Sequence, residues 1–223
     1  MMRNILLFIF CGTLWSTGFS QESPDYKKVE YGILMQANFG YLNLEQTDWA
    51  SLGIENEINS LEAQNRFGFG LGILGKFNIS RYLAIVPQPT IYFQQNQVAV
   101  DLENQANYEE EIKPVAIAIP IHLVFTNCKW EKWNPSAALG ARYVHGFSDP
   151  SVSSQIALQN HDFAIDFGAG VEVKFDRFKM KPELLFSKGL TNLKRSNNRA
   201  SLVDTVFESI HQDQIAFRVL FYN

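Results

Sequence analysis

A chain of 223 residues with a formal net charge of −4 has the length of one domain and no basic excess to recruit nucleic acid. Its mean hydropathy of −0.11 is that of a water-soluble protein. That value does not exclude a membrane barrel, because lipid-facing and lumen-facing residues alternate along each strand and cancel.

Read from the first residue, Arg3 precedes a short apolar run, Ile5 to Phe10 with Leu14 and Trp15, and small residues follow at Gly18 and Ser20. This order predicts a secretory signal peptide over 1–20, with Gln21 as the new N-terminus. Residues 21–28 then form a short periplasmic tail and 29–223 one domain. Bulky Phe10 before Cys11, inside the apolar run, argues against a lipoprotein signal. With the leader removed Cys128 is the only cysteine, so no internal disulfide is expected. No later stretch approaches the ~20 apolar residues of a membrane helix.

From Tyr31 onward the pattern has period two. Tyr31, Ile33, Met35, Ala37, Phe39 and Tyr41 share one face of a first run. Phe67 to Phe77 and Leu83 to Phe93 follow, the latter carrying Pro87 and Pro89. Val115 to Phe125 is next, then a weaker run from Ala137 to Tyr143. Phe163 to Phe175 is the cleanest, and Phe178 to Phe186 and Ile215 to Phe221 complete the set. Strict alternation over such lengths predicts strands, each near the ~9–11 residues that cross a bilayer when tilted. Ser80–Arg81 and Asp176–Arg177 read as tight turns and 127–134 as a modest one. The connections 43–65, 95–111, 147–161 and 191–211 are long and polar. Short turns at one end and long loops at the other predict an all-β, antiparallel, up-and-down transmembrane barrel of about eight strands, with the short turns periplasmic and the loops extracellular.

The row opposite the apolar one is rich in glycine, at Gly32, Gly68, Gly70, Gly72, Gly140, Gly168 and Gly170 among others. Glycine on a water-facing strand costs backbone entropy and packs against nothing, whereas an eight-stranded barrel leaves its lumen little room. The same row carries Arg142, Asp166, Glu172, Lys174, Lys181, Glu183 and Arg218, which are expected to form a paired polar network inside the lumen. Phe77, Tyr82, Trp130, Trp133, Phe175 and Phe178 gather near the short turns and read as a periplasmic-side aromatic girdle facing outer-membrane lipid.

Signals of chemistry are few. Of His122, His145, His161 and His211 only His122 falls mid-strand on the lumen row, and no serine accompanies it on its strand as a nucleophile. Glu109, Glu110 and Glu111 lack the spacing of a calcium loop, and Gly68, Gly70 and Gly72 lie within a strand rather than before a helix, so they make no phosphate loop. The expectation is a protein without catalysis, cofactor, metal or small-molecule substrate, with Cys128 an incidental thiol.

Ile119-Pro120-Ile121-His122-Leu123, Asn134-Pro135, Leu139 to Tyr143, Asp162 to Gly170, and Lys181-Pro182-Glu183-Leu184 through Ser187-Lys188-Gly189-Leu190 to Leu193 form a recognisable series. This series resembles the PorT-type outer-membrane barrels of the Bacteroidetes. The resemblance implies an outer-membrane, non-enzymatic accessory of type IX protein secretion, with other secretion components as partners and a part in assembling the gliding machinery where present. The alternatives are a structural or adhesive barrel of the OmpX or OmpA kind and, with less support, a lipid-modifying enzyme.

Overall fold

The computed structural model describes residues 27–46, 58–64, 67–94, 96–102, 108–112, 115–127, 132–147, 159–194 and 207–223. The leader expected over 1–20 lies outside them, as do Cys128 and Trp130. The described residues form twelve strands: β1 (Val29–Gln46), β2 (Ile58–Gln64), β3 (Phe67–Asn78), β4 (Leu83–Pro87), β5 (Thr90–Gln94), β6 (Asn96–Leu102), β7 (Tyr108–Ile112), β8 (Val115–Thr126), β9 (Trp133–Gly146), β10 (His161–Lys174), β11 (Lys179–Gly189) and β12 (Phe207–Tyr222).

Nine of these strands form one antiparallel sheet in the order β1-β12-β11-β10-β9-β8-β4-β3-β5, and β1 also pairs with β3. That last pairing closes the sheet on itself. β4 and β5 pair with β3 and β8 in one unbroken register, Phe77↔Ile85 continuing into Gly72↔Thr90, and Pro87↔Ile121 into Thr90↔Ala118. They are therefore one crossing, and the ring has eight.

Around the ring, Val29 lies opposite Phe77, and the path runs on through Ile85, Leu123, Leu139, Phe167, Phe186 and Ile215 to Phe39. One circuit thus climbs ten residues along β1, from Val29 to Phe39. With strand spacings of ~4.8 Å and a rise of ~3.3 Å per residue, this stagger sets a strand tilt of ~40°. Every side chain on the path points outward, so the outside is a continuous apolar belt that includes Phe67 at 79% exposure and Ile121 at 54%. The inner row holds buried polar and charged groups, among them Gln36, Asn38, Gln88, Gln94, His122 and Asp166. A soluble barrel has the reverse arrangement. This chain is a transmembrane β-barrel.

Two inner glycines lie close against large polar groups. A Cβ at Gly140 would collide with the His122 ring and the Ile121 carbonyl, and one at Gly168 would come within 2.9 Å of Glu183 Oε1. Both positions make room for the large polar groups opposite them.

The structure departs from the sequence expectation in the long connections. The segments 43–65 and 95–111 are not simple loops: β1 runs on to Gln46, and β2, β6 and β7 form a separate three-stranded sheet in the order β2-β6-β7. The alternation there is made largely of polar residues, so it carried no core signal.

The third crossing shows how backbone groups are satisfied at prolines. Gln88 N donates to Pro120 O at 3.0 Å, but Pro120 has no N–H to return to the Gln88 carbonyl. The Thr90 hydroxyl donates to Gln88 O instead, at 2.7 Å. Thr90→Val should therefore lower stability by about 1–3 kcal/mol, the cost of a buried carbonyl without a donor, in urea unfolding from lipid vesicles. On the outer face, Ile121→Arg near the middle of β8 should cost about 2–4 kcal/mol in the same assay.

Candidate functional site

The lumen concentrates the polar groups of the barrel in three tiers. At the short-turn end, Glu30 on β1 lies between Lys76 of β3 (3.7 Å) and Lys179 of β11 (2.7 Å). Glu172 of β10 accepts from Lys76 Nζ at 2.9 Å and from the Tyr222 hydroxyl of β12 at 2.7 Å. Lys76 also stands 4.8 Å from the centre of the Tyr222 ring, a cation–π contact. Five strands from different parts of the sequence are thus tied at one level.

The middle tier is built around two arginines. Arg218 on β12 donates through Nε to Glu183 Oε2 at 2.9 Å, through Nη1 to Gln88 Oε1 at 2.8 Å, and through Nη2 to His122 Nδ1 at 3.3 Å. A single guanidinium therefore joins β12 to β11, β8 and the β4–β5 junction. Because arginine only donates, Nδ1 of His122 must be the acceptor, and its Nε2–H donates to Asp166 Oδ2 at 2.8 Å. Arg142 of β9 donates to the Tyr92 hydroxyl of β5 at 3.2 Å and to Gln214 Oε1 of β12. Its Nε faces Asp166 Oδ1 at 3.6 Å, a charge contact beyond hydrogen-bond length. Lys181 lies 3.2 Å from Glu183 Oε1.

The third tier is at the long-connection end. Asp213 of β12 accepts from Asn43 Nδ2 of β1 at 2.9 Å, from Lys188 Nζ of β11 at 2.7 Å, and from the backbone of Gly189 at 3.1 Å. Above it the Ser209 hydroxyl donates to Glu45 at 2.6 Å. Leu193 and Ile210 are fully buried beside this tier and joined by a backbone hydrogen bond of 2.8 Å.

Of the residues expected in the lumen, Arg142, Asp166, Glu172, Lys181, Glu183 and Arg218 are all buried there. Lys174 is not. It is the last residue of β10 and is exposed at the rim, where its long stem reaches water at no cost. Glu30 and Asp213, which anchor the outer tiers, were not anticipated. Both sit near the ends of the apolar runs, where alternation alone does not distinguish a lumen acid from a loop acid. Gln88 and Tyr92 lay on the inner row by parity, but nothing in the sequence named them as partners of the arginines.

Phe77, Tyr82, Trp133, Phe175 and Phe178 are exposed around the short-turn end. Phe175 stacks on Phe178 with ring centres 4.8 Å apart, and Tyr82 on Phe125 at 6.4 Å. Of the histidines, His145 and His161 face each other across β9 and β10 on the outside, and His211 is half-buried on β12. Both ring nitrogens of His122 are occupied, by Arg218 and Asp166, so neither is left to activate a nucleophile. Among the described residues no group of three His, Cys, Asp or Glu side chains is arranged to hold a metal.

No family model matches the chain, and no curated protein does. Among solved structures it is similar to Neisserial surface protein A at 11% identity and a TM-score of 0.44, covering 85% of this chain and 95% of that one. It is also similar to Ail, the attachment invasion locus protein of Yersinia pestis, solved with a heparin analogue, at 11% identity and a TM-score of 0.40, covering 88% and 100% of the two chains. OprG from Pseudomonas aeruginosa gives 11% identity and a TM-score of 0.42, with 88% and 94% covered.

The lumen geometry separates two kinds of ion pair. Arg218→Met leaves Glu183 with Lys181 alone and takes a donor from both Gln88 and His122 in a closed interior, so it should destabilise the folded barrel by about 3–5 kcal/mol. Lys188→Met removes a pair whose lysine side chain is 52% exposed and should cost less than about 1 kcal/mol. Urea titrations of the two variants in one vesicle system, scored by heat-modifiable migration on gels, compare them directly.

Proposed function

We propose that this chain is a non-enzymatic, small outer-membrane barrel whose working surface is the long-connection end, in the manner of a structural or adhesive barrel. The observation that carries this reading is the β2-β6-β7 sheet. It is assembled from two connections that a barrel does not need for closure, and β6 starts two residues after β5 ends, so the sheet grows from the rim of the wall. Eight crossings with a cross-braced lumen leave no passage for a protein, so any role in transport is indirect. Long loops on the outer side and short turns on the periplasmic side follow the usual orientation of such barrels.

Charge narrows the partner. The connections 43–65 and 95–111 each contain five Asp or Glu and no Lys or Arg. A surface of that sign repels sulfated or phosphorylated polymers and favours cationic or neutral ones. A second reading, accessory to type IX secretion, rests on the resemblance of the Ile119–Leu193 stretch to PorT-type barrels.

Two strains separate the readings. Cells expressing a barrel with 47–64 and 96–112 replaced by short linkers should assemble it in the outer membrane but lose attachment to cationic surfaces, while cargo export is unchanged. Cargo retained in the periplasm of a deletion strain, and restored by the loop-shortened barrel, would instead favour the secretion reading and overturn the adhesive one.

A further inference from the structure

The two ends of the barrel have opposite electrostatic character, and the short-turn end points to a specific neighbour. Lys27 and Lys28 precede β1, Arg81 lies in the β3–β4 turn, Lys132 immediately precedes β9, and Lys174 and Arg177 flank or form the β10–β11 turn. All six are exposed, and Asp176 is the one exposed acid among the described residues of these turns. Glu30, also at this end, is buried and bound to Lys76 and Lys179.

The cations form a ring, not a patch. Backbone bonds knit their segments around the rim: Asn78 N donates to Lys28 O at 2.9 Å, Thr126 N to Tyr82 O at 2.8 Å, and Lys174 N to Lys132 O at 3.0 Å. Each approach to the rim therefore carries at least one of the six. The ring also adjoins the outward aromatics Phe77, Tyr82, Trp133, Phe175 and Phe178. Aromatic rings sit at the headgroup level of a bilayer, and basic residues at the same level attract anionic headgroups.

From this arrangement we infer that the short-turn rim binds anionic phospholipid, holding a shell of acidic headgroups in the leaflet around it. A compact acidic protein would cover only one arc of the rim. A leaflet surrounds the barrel and meets all six cations. The connections 43–65 and 95–111 at the opposite end are acidic, so anionic lipid is favoured on the short-turn side. The inference rests on insertion of the barrel in a bilayer and is independent of any role of the long connections.

The test is lipid selectivity. The refolded full-length barrel is placed in phosphatidylcholine vesicles with a trace of spin-labelled phosphatidylglycerol or spin-labelled phosphatidylcholine, and the motionally restricted fraction is measured. Heat-modifiable migration confirms insertion in every sample. The expected result is a preference for phosphatidylglycerol of at least about twofold at low salt, shrinking as salt screens the charges. A variant with Lys27, Lys28, Arg81, Lys132, Lys174 and Arg177 all changed to Gln should remain heat-modifiable and lose the preference. If that variant does not insert, the salt dependence of the unmodified barrel decides the matter by itself. Equal association of the two lipids overturns the inference, as does a preference that neither salt nor the variant changes. Binding of soluble polyglutamate with no lipid preference would also overturn it and assign the rim to an acidic protein.

Discussion

Closure of the sheet is the constraint from which the rest follows. A strand inside a bilayer has no water to bond its N–H and C=O groups, so every one must find a partner within the protein. The β1–β3 pairing, Val29↔Phe77 through Phe39↔Phe67, removes the last free edge. With eight crossings and a climb of ten residues per circuit, the tilt and the bore are both set. The bore then dictates the inner row. Small residues must face the bulkiest polar ones, which is why Gly140 lies under His122 and Gly168 beside Glu183.

The same narrowness explains why the lumen charges are arranged in tiers rather than dispersed. An ion held in a confined interior keeps its charge only where partners surround it. Arg218 illustrates the solution: three donors reach three acceptors on three different parts of the wall, and one of those acceptors, His122, passes the connection on to Asp166 and so towards Arg142. The network contributes less through any single pair than through fixing the strands relative to one another across the bore. It also spans the bore at mid-height, from β12 to β11, β8 and the β4–β5 junction.

How much of this was legible in the sequence depends on where a residue sits along its strand. In the membrane-spanning middle, parity decides everything. Phe163 to Phe167 alternate with Ala164 and Asp166 because one row meets lipid and the other the lumen, and the eight crossings with their inside and outside rows could be read directly. Near the rims the same parity loses its meaning. Lys174 has lumen parity but stands in water, while Glu30 and Asp213 look like loop acids and are lumen anchors. Beyond the rims the lipid no longer sorts residues at all. Val98, Val100 and Leu102 alternate weakly, and Tyr108–Ile112 has three consecutive glutamates at its centre, yet both segments pair as β6 and β7. Their strand character comes from neighbouring strands, which a single sequence does not display.

The proline crossing shows the closure constraint acting at the level of single atoms. Proline normally belongs on sheet edges, where its missing N–H deprives no partner. This sheet has no edge, yet Pro87, Pro89 and Pro120 lie in adjacent strands around Gln88. The register nevertheless passes through without a shift. On the β8 side Gln88 N still reaches Pro120 O, and on the β3 side Ile73 N still reaches Pro89 O. The carbonyl that Pro120 cannot serve is taken by the Thr90 hydroxyl. Between these contacts the chain is extended and stiff, because two prolines fix φ on either side of one residue. That residue is Gln88, fully buried, with its amide oxygen held by Arg218. The ladder gives up regular hydrogen bonds here, and in exchange a rigid backbone places the Gln88 side chain against the guanidinium that braces the bore.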